Sequence, residues 1–182
     1  MKLDTGTELP DNFILTKEFK ETFNLINDTN ANLFITGKAG CGKSTLLEYF
    51  RQNTDKNYVT LAFQGITAIK VKGQTLHSFF KFPTHFISDQ DIKTLKDKEV
   101  IQNLDTILID EISIVRADLF DAIDLFLKKN RKNNQPFGGV QIILFGDVMQ
   151  IDPIVGSDDE VMEKFYPKGP FFFNSNIYAQ GE

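Results

Sequence analysis

Residues Gly37-Lys38-Ala39-Gly40-Cys41-Gly42-Lys43-Ser44 spell a complete G-x-x-x-x-G-K-[ST] loop. An apolar run, Asn32–Thr36, precedes it, and a helical pattern, Thr45–Phe50, follows. Strand, glycine-rich turn and helix start form the setting in which such a loop cradles phosphates. Its glycines let the backbone curl so that successive N–H groups point inward at phosphate oxygens. The helix N-terminus adds partial positive charge. Lys43 can reach the β- and γ-phosphates and Ser44 can ligate Mg²⁺. The sequence therefore predicts a nucleoside-triphosphate site made by Gly37, Lys38, Ala39, Gly40, Cys41, Gly42, Lys43 and Ser44, with Thr45 at the helix start.

At 182 residues the chain has the length of one domain. Apolar residues make up 41% and charged residues 25%, the range of soluble globular proteins. No apolar stretch approaches the roughly 18 residues of a membrane span. Met1–Gly6 lacks the apolar segment of a signal peptide. Cys41 is the sole cysteine, which excludes an internal disulfide and fits a reducing, intracellular compartment. The formal charge of −5 argues against coating nucleic acid by bulk electrostatics. Yet residues 56–88 contain no Asp or Glu, and Lys56, Lys70, Lys72 and Lys81 alternate there with Phe63, Phe79, Phe80, Phe82 and Phe86. That pattern suits single-stranded DNA, whose phosphates follow cations and whose bases stack on rings. The competing reading puts Phe79 and Phe80 in the core.

Residues 1–12 read as a flexible leader and 13–182 as the folded domain. Phe19, Phe23 and Ile26 have helical spacing. Tyr58–Phe63, Thr106–Ile109 and Val140–Phe145 are short apolar runs suited to strands buried on both faces of a parallel sheet. Between the last two, Leu119, Phe120, Ile123, Phe126 and Leu127 share a helical face, with Asp118 as the expected N-cap. Lys128–Asn134 reads as a solvated loop. Strands alternating with helices predict an α/β fold, a mostly parallel sheet with helices on both faces.

Two further stretches carry chemistry. Ile107-Leu108-Ile109 runs into Asp110-Glu111, a strand ending in two acids. Downstream of a phosphate loop, Asp110 is expected to hold Mg²⁺ through water, and Glu111 to orient and deprotonate an attacking water. This favours a hydrolase over a kinase, for which no acceptor site is evident. Ile143–Phe145 runs into Gly146-Asp147-Val148-Met149-Gln150. The Gln150 amide can sense the γ-phosphate or the attacking water; it reads equally as a surface glutamine in a turn.

Together these stretches resemble the N-terminal motor domain of superfamily-one DNA helicases, specifically the Pif-one/RecD-like branch. Phe34–Ser44 is similar to its first motif, Ile109–Ser113 with Val115 and Arg116 to its second, and Gly138–Asp147 with Gln150 and Pro153 to its third. Gly73–Phe80 is similar to the segment after motif Ia, and Pro170–Phe173 to the aromatic segment after motif III. The resemblance implies a RecA-like sheet with ATP and Mg²⁺ at the carboxyl ends of its strands, with Lys43, Glu111 and Gln150 catalytic. It implies that Thr16 lies at the adenine-contacting segment and that Gly65, Thr67, His77 and Phe79 belong to a single-stranded DNA track. It also implies 5′-to-3′ translocation driven by closure of two motor domains, and work in DNA repair, recombination or telomere maintenance.

The chain departs from that pattern at three places. Ala62-Phe63-Gln64-Gly65 stands where the family has Ala-Pro-Thr-Gly, and Phe19 stands where an adenine-reading glutamine is usual. The second motor domain, with its arginine finger, does not appear before Glu182, so the chain reads as one domain of a larger motor. Missing such a finger costs roughly 10³–10⁵ in turnover. A nucleotide-dependent switch or scaffold, and a P-loop ATPase acting on something besides nucleic acid, are the other classes compatible with these residues.

Overall fold

The computed structural model describes residues 9, 13–147, 149 and 152–180. The chain begins with α1 (Lys17–Asp28), β1 (Leu33–Thr36), α2 (Lys43–Asn53) and β2 (Tyr58–Ala62). Three short elements follow, α3 (Gly65–Lys70), β3 (Gln74–Thr75) and α4 (Leu76–Phe80), and then α5 (Glu99–Gln102). The second half contains β4 (Thr106–Asp110), α6 (Ala117–Arg131), β5 (Gln141–Gly146), α7 (Asp159–Phe165) and α8 (Asn176–Ala179). The expected leader lies outside the described residues, Leu9 excepted.

The strands form one parallel sheet in the order β1-β5-β4-β2-β3. Successive residues of a strand face opposite layers, and here both layers are dry. Ile107, Ile109, Ile142 and Leu144 pack with Phe120, Ile123, Phe126 and Leu127 of α6. Leu108, Ile143 and Phe145 turn the other way, onto Ile26 of α1 and Leu46, Leu47 and Phe50 of α2. This two-sided burial explains why the strand sequences are continuous apolar runs instead of alternating ones. The expected α/β class is the observed one. Because every strand points the same way, all five carboxyl ends lie along one edge.

The segment after β2 is more ordered than the sequence suggested. Gly73 passes so close to β2 that a Cβ there would sit 2.1 Å from the Thr60 carbonyl oxygen. Only a residue without a side chain permits β3 to pair beside β2. Phe80 and Phe82 are buried and stack at 5.3 Å, the core outcome rather than the base-stacking one.

Three other expectations are corrected. The N-cap of α6 is Arg116, not Asp118. Asp118 sits one turn position inside the helix, where its carboxylate accepts from Arg116 Nε at 2.9 Å, from Nη2 at 2.7 Å and from the Ile87 N–H at 2.9 Å. Only Lys132–Asn134 of the expected loop Lys128–Asn134 lies outside the helix: α6 runs through Arg131, whose guanidinium donates to the carbonyls of Gly138, Gln102 and Leu104. Asn130 beside it is fully buried, tying the strands' connections together through Leu95 N–H and the Lys93 carbonyl.

Lys56 does not face solvent with the other lysines of its stretch. Its ammonium donates to the Ile26 carbonyl at 2.7 Å, the Thr29 carbonyl at 2.6 Å and Gln141 Oε1 at 2.8 Å. The cation clamps the end of α1 to the amino-terminal edge of the sheet, opposite the carboxyl ends. Burial lowers its pKa, with Asp105 and Asp28 opposing. Lys56→Met should therefore leave three acceptors unpaired and lower unfolding free energy by about 1–3 kcal/mol, measured by urea denaturation. A change within error would show that the clamp contributes nothing.

Candidate active site

The phosphate loop connects β1 to α2 at the carboxyl edge. Two glycines have left-handed backbones that side-chain-bearing residues rarely adopt, Gly40 with φ 80° and Gly42 with φ 91°. Gly42 is the N-cap of α2 and its carbonyl accepts the Leu46 N–H at 2.9 Å. Lys38, Ala39, Gly40 and Cys41 are exposed, as are Ser44 on the first turn of α2 and the Cys41 thiol. Lys43 turns back over the loop, and its ammonium donates to the Gly37 carbonyl and, at 3.1 Å, to the Lys38 carbonyl. The cation is thus held inside the curl of main-chain amides.

Two strands away, β4 ends in Asp110. Burial raises the Asp110 pKa above the ordinary carboxylate range; the neighbouring Glu111 adds to this, while the Glu111 N–H at 2.9 Å and the Lys43 cation oppose it. Because β1, β5 and β4 run parallel, the loop bearing Lys43 and the end of β4 lie at one edge of the sheet. An anion denied water and incompletely balanced is suited to a hard cation. Among the described residues, no group of three or more His, Cys, Asp or Glu could hold a metal by itself. This donor set fits Mg²⁺, which binds through one or two protein oxygens, water and substrate phosphates.

Glu111 has a left-handed backbone, φ 53° and ψ 45°, which costs a side-chain-bearing residue on the order of 1 kcal/mol. The next turn packs directly on the end of β5: a Cβ at Gly146 would lie 2.8 Å from Ile112 Cγ2. The kink throws the exposed Glu111 side chain toward α3, where Oε2 accepts from Thr67 Oγ1 at 2.6 Å. Thr67 is 5% exposed. Its hydroxyl is buried against Glu111.

The other sequence candidates are spread around this edge. Gly65 opens α3 with free space where a Cβ would go. His77 on α4 meets the Phe63 ring edge-on at 5.4 Å. Its pKa is lowered by burial first and by Arg116 second, with Asp118 opposing. Phe79 is half-buried and packs edge-on against Phe80 at 4.9 Å. Thr16 caps α1, accepting the Phe19 N–H at 3.2 Å, and α1 rests on Tyr49 of α2 through Phe19 and Phe23. Gln150 lies outside the described residues.

The sequence named Arg116 only within a motif and gave neither it nor Arg51 its linking role. Buried Arg116 binds Asp118 at 2.7 Å and Asp158 at 3.0 Å, fastening the segment after β5 to the start of α6. Arg51 of α2 donates to the Val71 carbonyl at the end of α3. No spacing pattern reveals either, because each pairs with a residue distant in sequence.

A family model described as PIF1-like helicase matches residues 14–165. The ATP-dependent DNA helicase RRM3 of Saccharomyces cerevisiae is 32% identical over 162 residues, covering 84% of this chain and 22% of that protein. The crystal structure of Bacteroides sp Pif1 in complex with ADP-AlF4 superposes with a TM-score of 0.85 at 40% identity, covering 93% of this chain and 40% of that one. The Bacteroides Pif1 helicase in complex with ADP-AlF3 and ssDNA gives 0.83 at 41% identity, covering 91% and 40%. The chain thus spans about a fifth of the curated relatives' length, 22% and 21% for the first two.

The raised Asp110 pKa makes a stability prediction. The folded carboxyl holds its proton more tightly than the unfolded one, so its contribution to stability is present below the ordinary range and lost as pH rises through the folded value. Asp110→Asn should raise the nucleotide-free melting temperature at pH 7 by about 2–4 °C, with the gain vanishing near pH 3. An unchanged or lower melting point at pH 7 would show that the charge is already compensated.

Proposed function

The chain belongs to the PIF1-like helicase family, and from that premise we propose that residues 13–182 are the first motor domain of a DNA helicase. The domain binds and hydrolyses ATP while the full protein moves along single-stranded DNA, 5′-to-3′, inside the cell and on its DNA. Its partners are the single strand and a second motor domain that closes over the nucleotide. Among the described residues no helix is long and apolar enough to cross a membrane. The observation that carries the reading is the convergence of the Gly37–Ser44 loop, Asp110 and Glu111 at one sheet edge.

In this reading the loop amides and the start of α2 receive the phosphates, and Lys43 trades its loop carbonyls for β- and γ-phosphate oxygens. Ser44 and, through water, Asp110 hold Mg²⁺, which when bound neutralises charge on the phosphates. Glu111 takes the proton of the attacking water. Gln150 reports whether the γ-phosphate is present. Thr16 faces the adenine. Cys41 and Ala39 are small spacers that keep the loop open. The exposed lysines Lys70, Lys72 and Lys81, with Gly65, His77 and Phe79, form the side on which DNA lies. His77 offers a hydrogen-bonding ring there.

ATP hydrolysis by the native polypeptide, with and without single-stranded DNA, separates a motor from a switch, scaffold or DNA-independent ATPase. Stimulation by the strand supports the motor, and its absence removes it. Lys43→Ala should abolish measurable ATP binding in equilibrium titrations. Glu111→Gln should retain ATP binding while turnover falls by roughly 10²–10⁴; wild-type turnover would cancel the general-base role.

A further inference from the structure

Glu111 is aimed away from the loop it is meant to serve. In the sheet, β4 is flanked by β2 on one side and by β5, then β1, on the other. Asp110 lies in register with Ala62 of β2, and α3 begins shortly after that residue. A Glu111 side chain bonded to α3 therefore leans across the end of β2, opposite to the direction of Lys43. The bond to Thr67 is short at 2.6 Å and joins a hydroxyl to a carboxylate, which fixes the direction in which the acceptor points.

We propose that Thr67 is a positioning residue that holds Glu111 in a withdrawn orientation, so that α3 restrains ATP hydrolysis until single-stranded DNA displaces the helix. The inference rests on the reading of Glu111 as general base. Thr67 is almost wholly enclosed, so its hydroxyl acts inward and cannot itself meet a strand. The outer face of α3 is the opposite: Ile66 is 71% exposed, Ile69 78%, and Lys70 stands beside them. Apolar surface and a cation at this edge offer bases and phosphate something to press on. At its far end α3 is tied to α2, the helix opened by the phosphate loop, through Arg51 and the Val71 carbonyl. One short helix thus has a DNA-facing side, a hydroxyl on the water-activating carboxylate and a tether to the nucleotide helix. Movement of α3 toward solvent lengthens the Thr67–Glu111 bond and releases Glu111 to turn toward the loop.

The test uses the native polypeptide and compares Thr67→Val, which deletes the hydroxyl at nearly constant shape, with Thr67→Ser, which keeps it. Steady-state ATP turnover is measured with and without an oligothymidylate strand. Loss of the restraint should raise DNA-free kcat by roughly three- to tenfold, with KM for ATP changed by less than about twofold. The stimulation factor of DNA should shrink by the same ratio, and Thr67→Ser should return both toward the parent. If Thr67→Val does not fold, Thr67→Ala carries the same comparison, since Glu111 is exposed and tolerates loss of its partner. DNA-free turnover at or below the parent's, with stimulation intact, overturns the proposal. Glu111→Gln run alongside distinguishes the failures: normal turnover there removes the base assignment and the restraint with it. A silent Glu111→Gln with parental Thr67→Val and Thr67→Ala removes the restraint alone.

Discussion

Parallel pairing is the constraint on which everything else depends. Each strand must be followed by a crossover that returns the chain to the same starting edge, and the crossovers bury both faces of the sheet. One consequence is compositional: Ile107-Leu108-Ile109 and Ile142-Ile143-Leu144 must be apolar throughout, since adjacent residues enter different cores. The other is positional. The loop after β1 and the two acids at the end of β4 come together although scores of residues separate them in sequence. The chemistry collects at the one edge where backbone ends, rather than side chains of the core, are exposed.

That edge is built under electrostatic and conformational tension. Asp110 is a carboxylate withdrawn from water beside a second carboxylate. Glu111 adopts a backbone conformation that disfavours its own side chain. Lys43, the balancing cation, is occupied by loop carbonyls. On the proposed reading, a nucleotide complex would relieve two of these, through a cation at Asp110 and phosphates at Lys43. Folding stability comes from elsewhere, from the two apolar layers and from inward-turned cations such as Lys56 and Arg131 that satisfy carbonyls at the opposite edge.

The sheet, its class and the nucleotide loop were legible because their signals are local. A buried parallel strand announces itself as an apolar run, and the loop needs its glycines in fixed order. Charged side chains were read less well. Lys129 and Arg131 were read as part of a solvated loop, yet their long stems, like that of Lys56, carry the charge inward to backbone acceptors, an outcome decided by tertiary distance. Asp118 looked like a helix cap because it precedes an apolar face, but Arg116 two residues earlier claims its carboxylate. Thr67 shows the same limit inside the site. Its bond to Glu111, forty-four residues away in sequence, arises only when β2 and β4 pair.

The central claim is that the phosphate loop and the end of β4 share one divalent ion. Metal-directed cleavage measures this directly: Fe²⁺ is substituted for Mg²⁺ in the presence of ADP, and ascorbate with peroxide generates radicals that cut nearby backbone. The account predicts two cut sites, one near Ser44 and one near Asp110, both suppressed by excess Mg²⁺. Cutting at only one of them, or at neither while nucleotide is bound, would contradict it.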